Sequence, residues 1–250
     1  MTGKNKNFGE TMKRIEGMID RVRNNELQSM LLSVLKNNGE NLTDKNITKF
    51  EKIIEAIIMV DRKYFTPFNY YTDEPVIIGR GQTISQPTTV ARMLLMIELK
   101  KSDNILEAGT GSGWNAALIA YIINPGKVLT YERISELAKS ARKNIDKFTR
   151  DKKQRLNVNI ASADILDETT MIWKSRYNKI IITAGVSYKN VEQIKTIGIR
   201  LLKNNGLLLF PSSEIGSYGA LELWQKKGNK LKLAMRDEGY AFVPLLQKVE

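Results

Sequence analysis

From Thr11 to Lys36, apolar residues recur at helical intervals: Met12, Ile15, Met18, Ile19, Val22, Leu27, Leu31, Val34 and Leu35. The spacing lines one face and predicts an amphipathic helix that stops at "KNNGEN", where Asn and Gly favour chain reversal. Residues 1–9 carry no such pattern and are expected to be disordered. "TDKN" then offers a capping residue for a second helix, about Lys45 to Val60. The next stretch, "DRKYFTPFNYYTDEPVIIGRGQTISQPTTV", is rich in Gly, Pro and aromatic residues. It is too long for a plain connector, and its aromatic side chains argue against disorder.

From Thr88 onward two periods alternate. Helical spacing covers Thr88–Glu98, the segment up to Ile123, Ser135–Phe148 and Val191–Leu202. Between these lie short apolar runs that read as strands: Asn104–Glu107, Val128–Tyr131, Asn157–Ala161, Lys179–Thr183 and "GLLLFP". Such alternation predicts an α/β domain with a mostly parallel sheet covered on both faces. The end differs. "ALELWQKKGNKLKLAMR" is two alternating runs joined at Gly228–Asn229, which reads as an antiparallel hairpin.

Composition narrows the chemistry. The chain has 250 residues, 42% hydrophobic and 26% charged, as in ordinary globular proteins. No apolar run approaches the roughly 18 residues of a membrane span, and the N-terminus lacks the apolar segment of a signal peptide, so a cytoplasmic protein is expected. There is no cysteine and no histidine. Thiolate nucleophiles, serine–histidine catalysis and imidazole or thiolate metal sites are therefore excluded. No EF-hand-like acidic loop offers a carboxylate site, and no metal is expected. The formal net charge is +12. The lysines are scattered and not interleaved with aromatics, so a solvated basic surface is expected rather than a nucleic-acid partner.

The densest chemical signal is "ILEAGTGSGWN", Ile105–Asn115. A strand that ends in a glycine turn and opens a helix is a general nucleotide or anion site. No Gly-Lys-Ser/Thr follows, so it is not a Walker loop. The glycines are Gly109, Gly111 and Gly113, which puts Trp114 where a dinucleotide loop needs its third glycine. The pattern is Glu-x-Gly-x-Gly-x-Gly and resembles the first motif of class I S-adenosylmethionine (AdoMet) methyltransferases. Gly109, Thr110, Gly111 and Gly113 suit the carboxylate of that ligand, and Glu107 suits its positive charges. Glu132 ends the next strand, roughly 20 residues on, where ribose-binding acids lie in such folds. Asp164 ends the one after and suits the adenine amino group.

Further blocks occur in order: "VDRKYFTP", "YTDEPVIIGRGQTISQPTTVARML", "KIIITAG", "LKNNGLLLFP" and "GYAFVPLL". Together with the glycine motif they make the chain resemble the protein-L-isoaspartate O-methyltransferase family from about Leu31 to Leu246. "IGRGQTIS" is the most specific block. The resemblance implies a Rossmann-like, doubly wound seven-stranded sheet with a reversed C-terminal strand. A helical extension (1–60) would precede a methyltransferase domain (61–250) whose segment 64–90 lids the site. It implies methyl transfer from AdoMet to the free carboxylate of L-isoaspartyl residues in damaged peptides and proteins, by a monomer. Ser85 and Thr83 would orient that carboxylate, with Gln82 beside the cofactor. Ile84, Val243 and Pro244 would line the peptide channel. Arg80 stands where the family's usual block has histidine, and "SADI" replaces a "GDG" around Asp164.

Two other readings fit parts of the chain. "LEAGTGSG" and "TYE" also resemble tRNA adenosine-N1 methyltransferases, which need an acid after the "KIIIT" strand; "TAGVS" has none. The substitutions near Ser85 and Asp164 would also suit an AdoMet-binding protein without turnover.

Overall fold

A computed structural model describes residues 4–167, 177–214 and 216–245. Three helices come first: α1 (Lys4–Asp20), α2 (Asn25–Asn38) and α3 (Ile47–Met59). The single helix expected over Thr11–Lys36 is thus two. Asn24 causes the break: its side-chain oxygen accepts the Leu27 amide at 2.9 Å and starts α2 afresh. The apolar period runs straight across the break, which hides it. The disorder expected for residues 1–9 is also corrected where the chain is described. There α1 begins at Lys4, and Phe8 packs against the core.

The aromatic stretch folds into a short turn at Arg62–Tyr64 and an antiparallel hairpin, β1 (Val76–Gly79) and β2 (Gln82–Ile84). Helix α4 (Pro87–Met96) leads into the main sheet. The parallel strands are β3 (Asn104–Ala108), β4 (Lys127–Glu132), β5 (Val158–Ser162), β6 (Tyr177–Ile182) and β7 (Leu202–Ser212). Between them lie α5 (Trp114–Ile123), α6 (Ser135–Lys152) and α7 (Val191–Leu201). The chain closes on the predicted hairpin, β8 (Gly219–Lys227) and β9 (Lys230–Tyr240). Strand order is β5-β4-β3-β6-β7-β8-β9, and β8 is the strand that reverses direction against β7.

Strand alternation divides the core. Ile105, Ile181 and Leu209 face one side, where α1 to α6 supply the covering residues. Leu106, Ala108, Ile180, Ile182, Leu208 and Phe210 face the other, against α7. Each fully buried aliphatic side chain contributes about 1.5–3 kcal/mol. The sheet winds outward in both directions from β3 and β6, which pair in register from Ile105↔Lys179 to Ala108↔Ile182. A crevice must open above their C-terminal ends, because the connections leave to opposite sides.

Candidate active site

The glycine turn lies in that crevice. Gly109 has φ +97°, and a Cβ there would sit 2.4 Å from Thr183 Oγ1 at the end of β6. Thr183 Oγ1 donates to the Gly109 carbonyl at 2.6 Å, so loop and neighbouring strand are held edge to edge. Gly113, at φ +89°, opens α5, and its missing Cβ lets Ala141 of α6 approach. The close packing that a dinucleotide loop achieves at its last glycine is thus made one residue earlier. Trp114 is free to turn inward, buried, with its indole N–H donating to Val60 O at 3.0 Å. Glu132 faces the loop, accepting the Gly111 amide at 2.9 Å and the Ile134 amide at 3.0 Å.

Two adjoining cavities open here. The first, of about 600 Å³, is lined by Gln82, Thr83, Ile84 and Ser85 on one side. Gly109, Thr110, Gly111, Glu132 and Val243 line the other. The second, of about 420 Å³, shares Gln82, Gly109 and Glu132 and adds Asp164 and Pro244. Residues spread from position 82 to 244 are therefore brought together. Asp164 also accepts the Leu166 amide at 2.8 Å, so it shapes its own turn. Among the described residues lining the first cavity, Glu132 is the only titratable one.

Glu107 and Gly113 line neither cavity. Glu107 lies wholly buried beneath the loop and accepts from Asn115 Nδ2 at 2.7 Å and Thr130 Oγ1 at 2.5 Å. Thr130 spends its only proton there, so Thr110 Oγ1 donates to Thr130 at 2.7 Å. Glu107, expected to meet ligand charge, here heads the chain Glu107–Thr130–Thr110, which lies beneath the turn. The direction follows from strand alternation, which the loop motif alone does not reveal.

Burial pushes the Glu107 carboxyl up to about 7, aided by nearby Glu132 and opposed by its two hydrogen bonds. A folded state that holds this proton gains stability below the ordinary value of 4.5 and loses it as pH rises towards 7. Melting temperature is therefore expected to fall from pH 4.5 to 7, with a Glu107 share on the order of 1–3 kcal/mol. Glu107→Gln should flatten that slope in thermal melts. A slope unchanged by the substitution would assign the effect elsewhere.

Arg62, which sequence reading passed over, organises the opposite wall. It is fully buried. Its Nη1 donates to the carbonyls of Asn69, Tyr70 and Thr72, and its Nη2 to those of Glu74 and Ser85, at 3.0–3.4 Å. Its guanidinium carbon lies 5.4 Å from the Trp114 ring centroid. Burial lowers its pKa to about 10, which still leaves it charged at neutral pH. The only signal in the sequence was one Arg ahead of a long aromatic loop. Asp73 does a related job: it accepts the Thr88 amide at 2.8 Å and caps α4 from a distance. Ser85 is thereby released from capping. Its side chain lines the cavity, and its hydroxyl has no hydrogen-bond partner among the described residues. At the hairpin tip, Arg80 pairs with Glu136 of α6 at 2.7 Å, an exposed contact that solvent screens. Val90, Met93, Asn115 and Thr183 complete the wall; helix and strand periods alone could not say which of their faces meet.

The site thus sets backbone amides and a helix N-terminus beside carboxylates, with hydroxyl and amide side chains across the gap. The family described as protein-L-isoaspartate(D-aspartate) O-methyltransferase matches residues 34–250. A protein-L-isoaspartate O-methyltransferase of Thermococcus sibiricus is 37% identical over 227 residues, covering 83% of this chain and 90% of that protein. One of Pyrococcus horikoshii is 37% identical over 219 residues, covering 84% and 92%. Among solved structures, a β-aspartate methyltransferase from Plasmodium falciparum in complex with S-adenosyl-L-homocysteine has a similar fold. Its TM-score is 0.68 at 23% identity, covering 86% of this chain and 98% of that one.

Proposed function

This chain belongs to the protein-L-isoaspartate(D-aspartate) O-methyltransferase family and methylates the free carboxylate of L-isoaspartyl residues in damaged proteins from AdoMet, and we propose that the paired cavities beneath the β1–β2 hairpin are where it does so. The residues present fit the cofactor. Each Glu132 oxygen takes one backbone amide and keeps a lone pair for a ribose hydroxyl. Without a Cβ at Gly109, the loop closes on Thr183 yet leaves its wall open to the cavity. Gly109, Thr110, Gly111, Glu132, Asp164 and Gln82 would hold AdoMet, and Glu107 and Gly113 would shape the loop that does so. When bound, AdoMet supplies an electrophilic methyl group on its sulfonium.

The protein's share is to bind, orient and exclude water. A substrate carboxylate has a pKa near 4 and is already an anion at neutral pH, so it needs no base. That requirement matches a first cavity whose lining, among the described residues, carries no titratable group besides Glu132. Ser85 and Thr83 donate to the acceptor carboxylate and aim it, while Ile84, Val243 and Pro244 exclude water around the peptide. The observation that carries this reading is the unengaged Ser85 hydroxyl in the same cavity as the glycine turn. The segment after β6, 183–187, holds no acid, which disfavours adenosine-N1 transfer to tRNA.

With methyl-labelled AdoMet and an isoaspartyl peptide, base-labile methyl ester should form. Unmodified tRNA should take up none. Ser85→Ala should lower kcat/KM by about 10–100-fold, the cost of one or two hydrogen bonds to a charge, with AdoMet affinity within about twofold of the parent. Turnover unchanged in Ser85→Ala would remove the role given to that residue.

A further inference from the structure

The net charge of +12 looks scattered along the chain but is not scattered in space. The sheet collects it. Reading across the strand order at the end opposite the cavities, Arg155 precedes β5, Lys127 opens β4 and Lys101 precedes β3. Lys203 lies at the start of β7, Lys227 ends the reversed β8, and Lys230 opens β9. All six are exposed, and none forms an ion pair among the described residues. Lys203 and Lys227 do bond to Asn178 and Asn205, but neutral amides leave the charge in place. The gap in the row is β6. There Lys179 is buried and paired with Asp103 at 3.1 Å, so it serves the fold.

Neighbouring strands lie about 4.8 Å apart, so seven strands set these cations along a line of about 29 Å. That is close to one turn of a nucleic-acid duplex, about 34 Å. Open grooves flank the row on both sides of Lys100 and Lys101. One is lined by Lys52, Lys101, Lys153 and Arg155, the other by Lys100, Lys179 and Lys203. Three acids at this end are paired with cations, Asp103 with Lys179, Glu98 with Lys49 and Asp151 with Arg150; Glu55 accepts from the Tyr121 hydroxyl, which does not neutralise it, and stands among four cations in its groove. At the opposite strand ends stand Glu132, Asp164 and Glu214. The basic rim faces away from the active site.

We propose that this rim is a docking surface for the phosphodiester backbone of duplex nucleic acid. A line of unpaired cations matches a line of phosphates. No aromatic side chain belongs to the row, so it offers no stacking platform for single strands. Contact would be independent of sequence and strongly salt-dependent. It would leave the catalytic mouth open, so bound nucleic acid is a support and not the methyl acceptor. The charge scatter that argued against nucleic acid at sequence level is removed by the strand order.

The test is fluorescence anisotropy of a labelled 20-base-pair duplex of arbitrary sequence, with the full chain. Binding should fall in the micromolar range at 50 mM salt and weaken about 10³-fold by 200 mM, as six phosphate contacts require. The variant Lys101→Glu/Lys127→Glu/Arg155→Glu should bind at least about tenfold more weakly, with a salt slope roughly halved. Its isoaspartyl methylation should be unchanged, which also shows that it folds. The proposal is overturned if the variant binds the duplex as tightly as the parent. It is overturned as well if no binding is seen at 50 mM salt, or if poly-L-glutamate binds as tightly as the duplex. None of these outcomes depends on the role given to Ser85.

Discussion

Arg62→Ala is expected to lower the melting temperature by about 10 °C and to depress methyl transfer more than AdoMet affinity. The side chain satisfies five carbonyls, at Asn69, Tyr70, Thr72, Glu74 and Ser85. Alanine would leave them without donors and open a void under Trp114. The loop carbonyls lie near the surface and would partly rehydrate, so the loss is about 3–5 kcal/mol rather than the sum over five bonds. For a chain of this size each kcal/mol moves the midpoint by about 2–4 °C. Arg62→Lys keeps a charge but loses the planar fork and the stacking on Trp114, and should fall between parent and alanine variant. Catalysis suffers beyond stability because the Ser85 carbonyl is one of the five. Releasing it loosens the residue proposed to aim the acceptor, whereas the glycine turn stands on other supports. Melts and steady-state kinetics at a temperature where all variants are folded would separate the two effects. An alanine variant that melts within about 2 °C of the parent would show that the aromatic segment holds itself.

Gly109→Ala is expected to weaken AdoMet binding by about 100-fold or more, equivalent to about 2.7 kcal/mol. Two causes act together. The backbone has φ +97°, which costs a residue with a side chain about 1–3 kcal/mol. The new methyl would also stand 2.4 Å from Thr183 Oγ1, so the loop must leave β6 and change the cavity wall. The second cause can be removed alone. Thr183→Ala takes away the clashing oxygen, so Gly109→Ala/Thr183→Ala should bind AdoMet more tightly than Gly109→Ala but more weakly than the parent. Isothermal titration of the four proteins gives the coupling directly. Purely additive losses would mean that strain in the backbone, and not the clash, governs this position.

Most of the sheet could be read from the chain because strand and helix periods differ and alternate cleanly after Thr88. The break at Asn24 could not, since apolar spacing continues through it while the cap is a local hydrogen bond. Within the site, residues on the glycine turn and the strand ends were legible. Their positions follow from the order strand, turn, helix, and the cavities bring them together. Glu107 lies outside both cavities, which could not be read from the motif because its direction depends on which face of β3 the turn leaves exposed. Arg62 and Asp73 carried no local signature at all. Their partners lie along an irregular loop, where no period relates residue number to direction.

By itself, the sequence determined the class of chemistry. A chain without cysteine or histidine, with Glu-x-Gly-x-Gly-x-Gly between strand and helix, is left with backbone amides, hydroxyls, carboxylates and lysines to bind its ligands and do its chemistry. The tertiary structure decided what is long-range. Asp73 takes over the cap of α4, so Ser85 is left free; Arg62 ties the aromatic segment to Trp114; and the strand order turns scattered lysines into a row. The division has a physical cause. Backbone conformation and hydrogen bonding within a few residues are set by neighbours in sequence, whereas burial and charge are properties of neighbours in space.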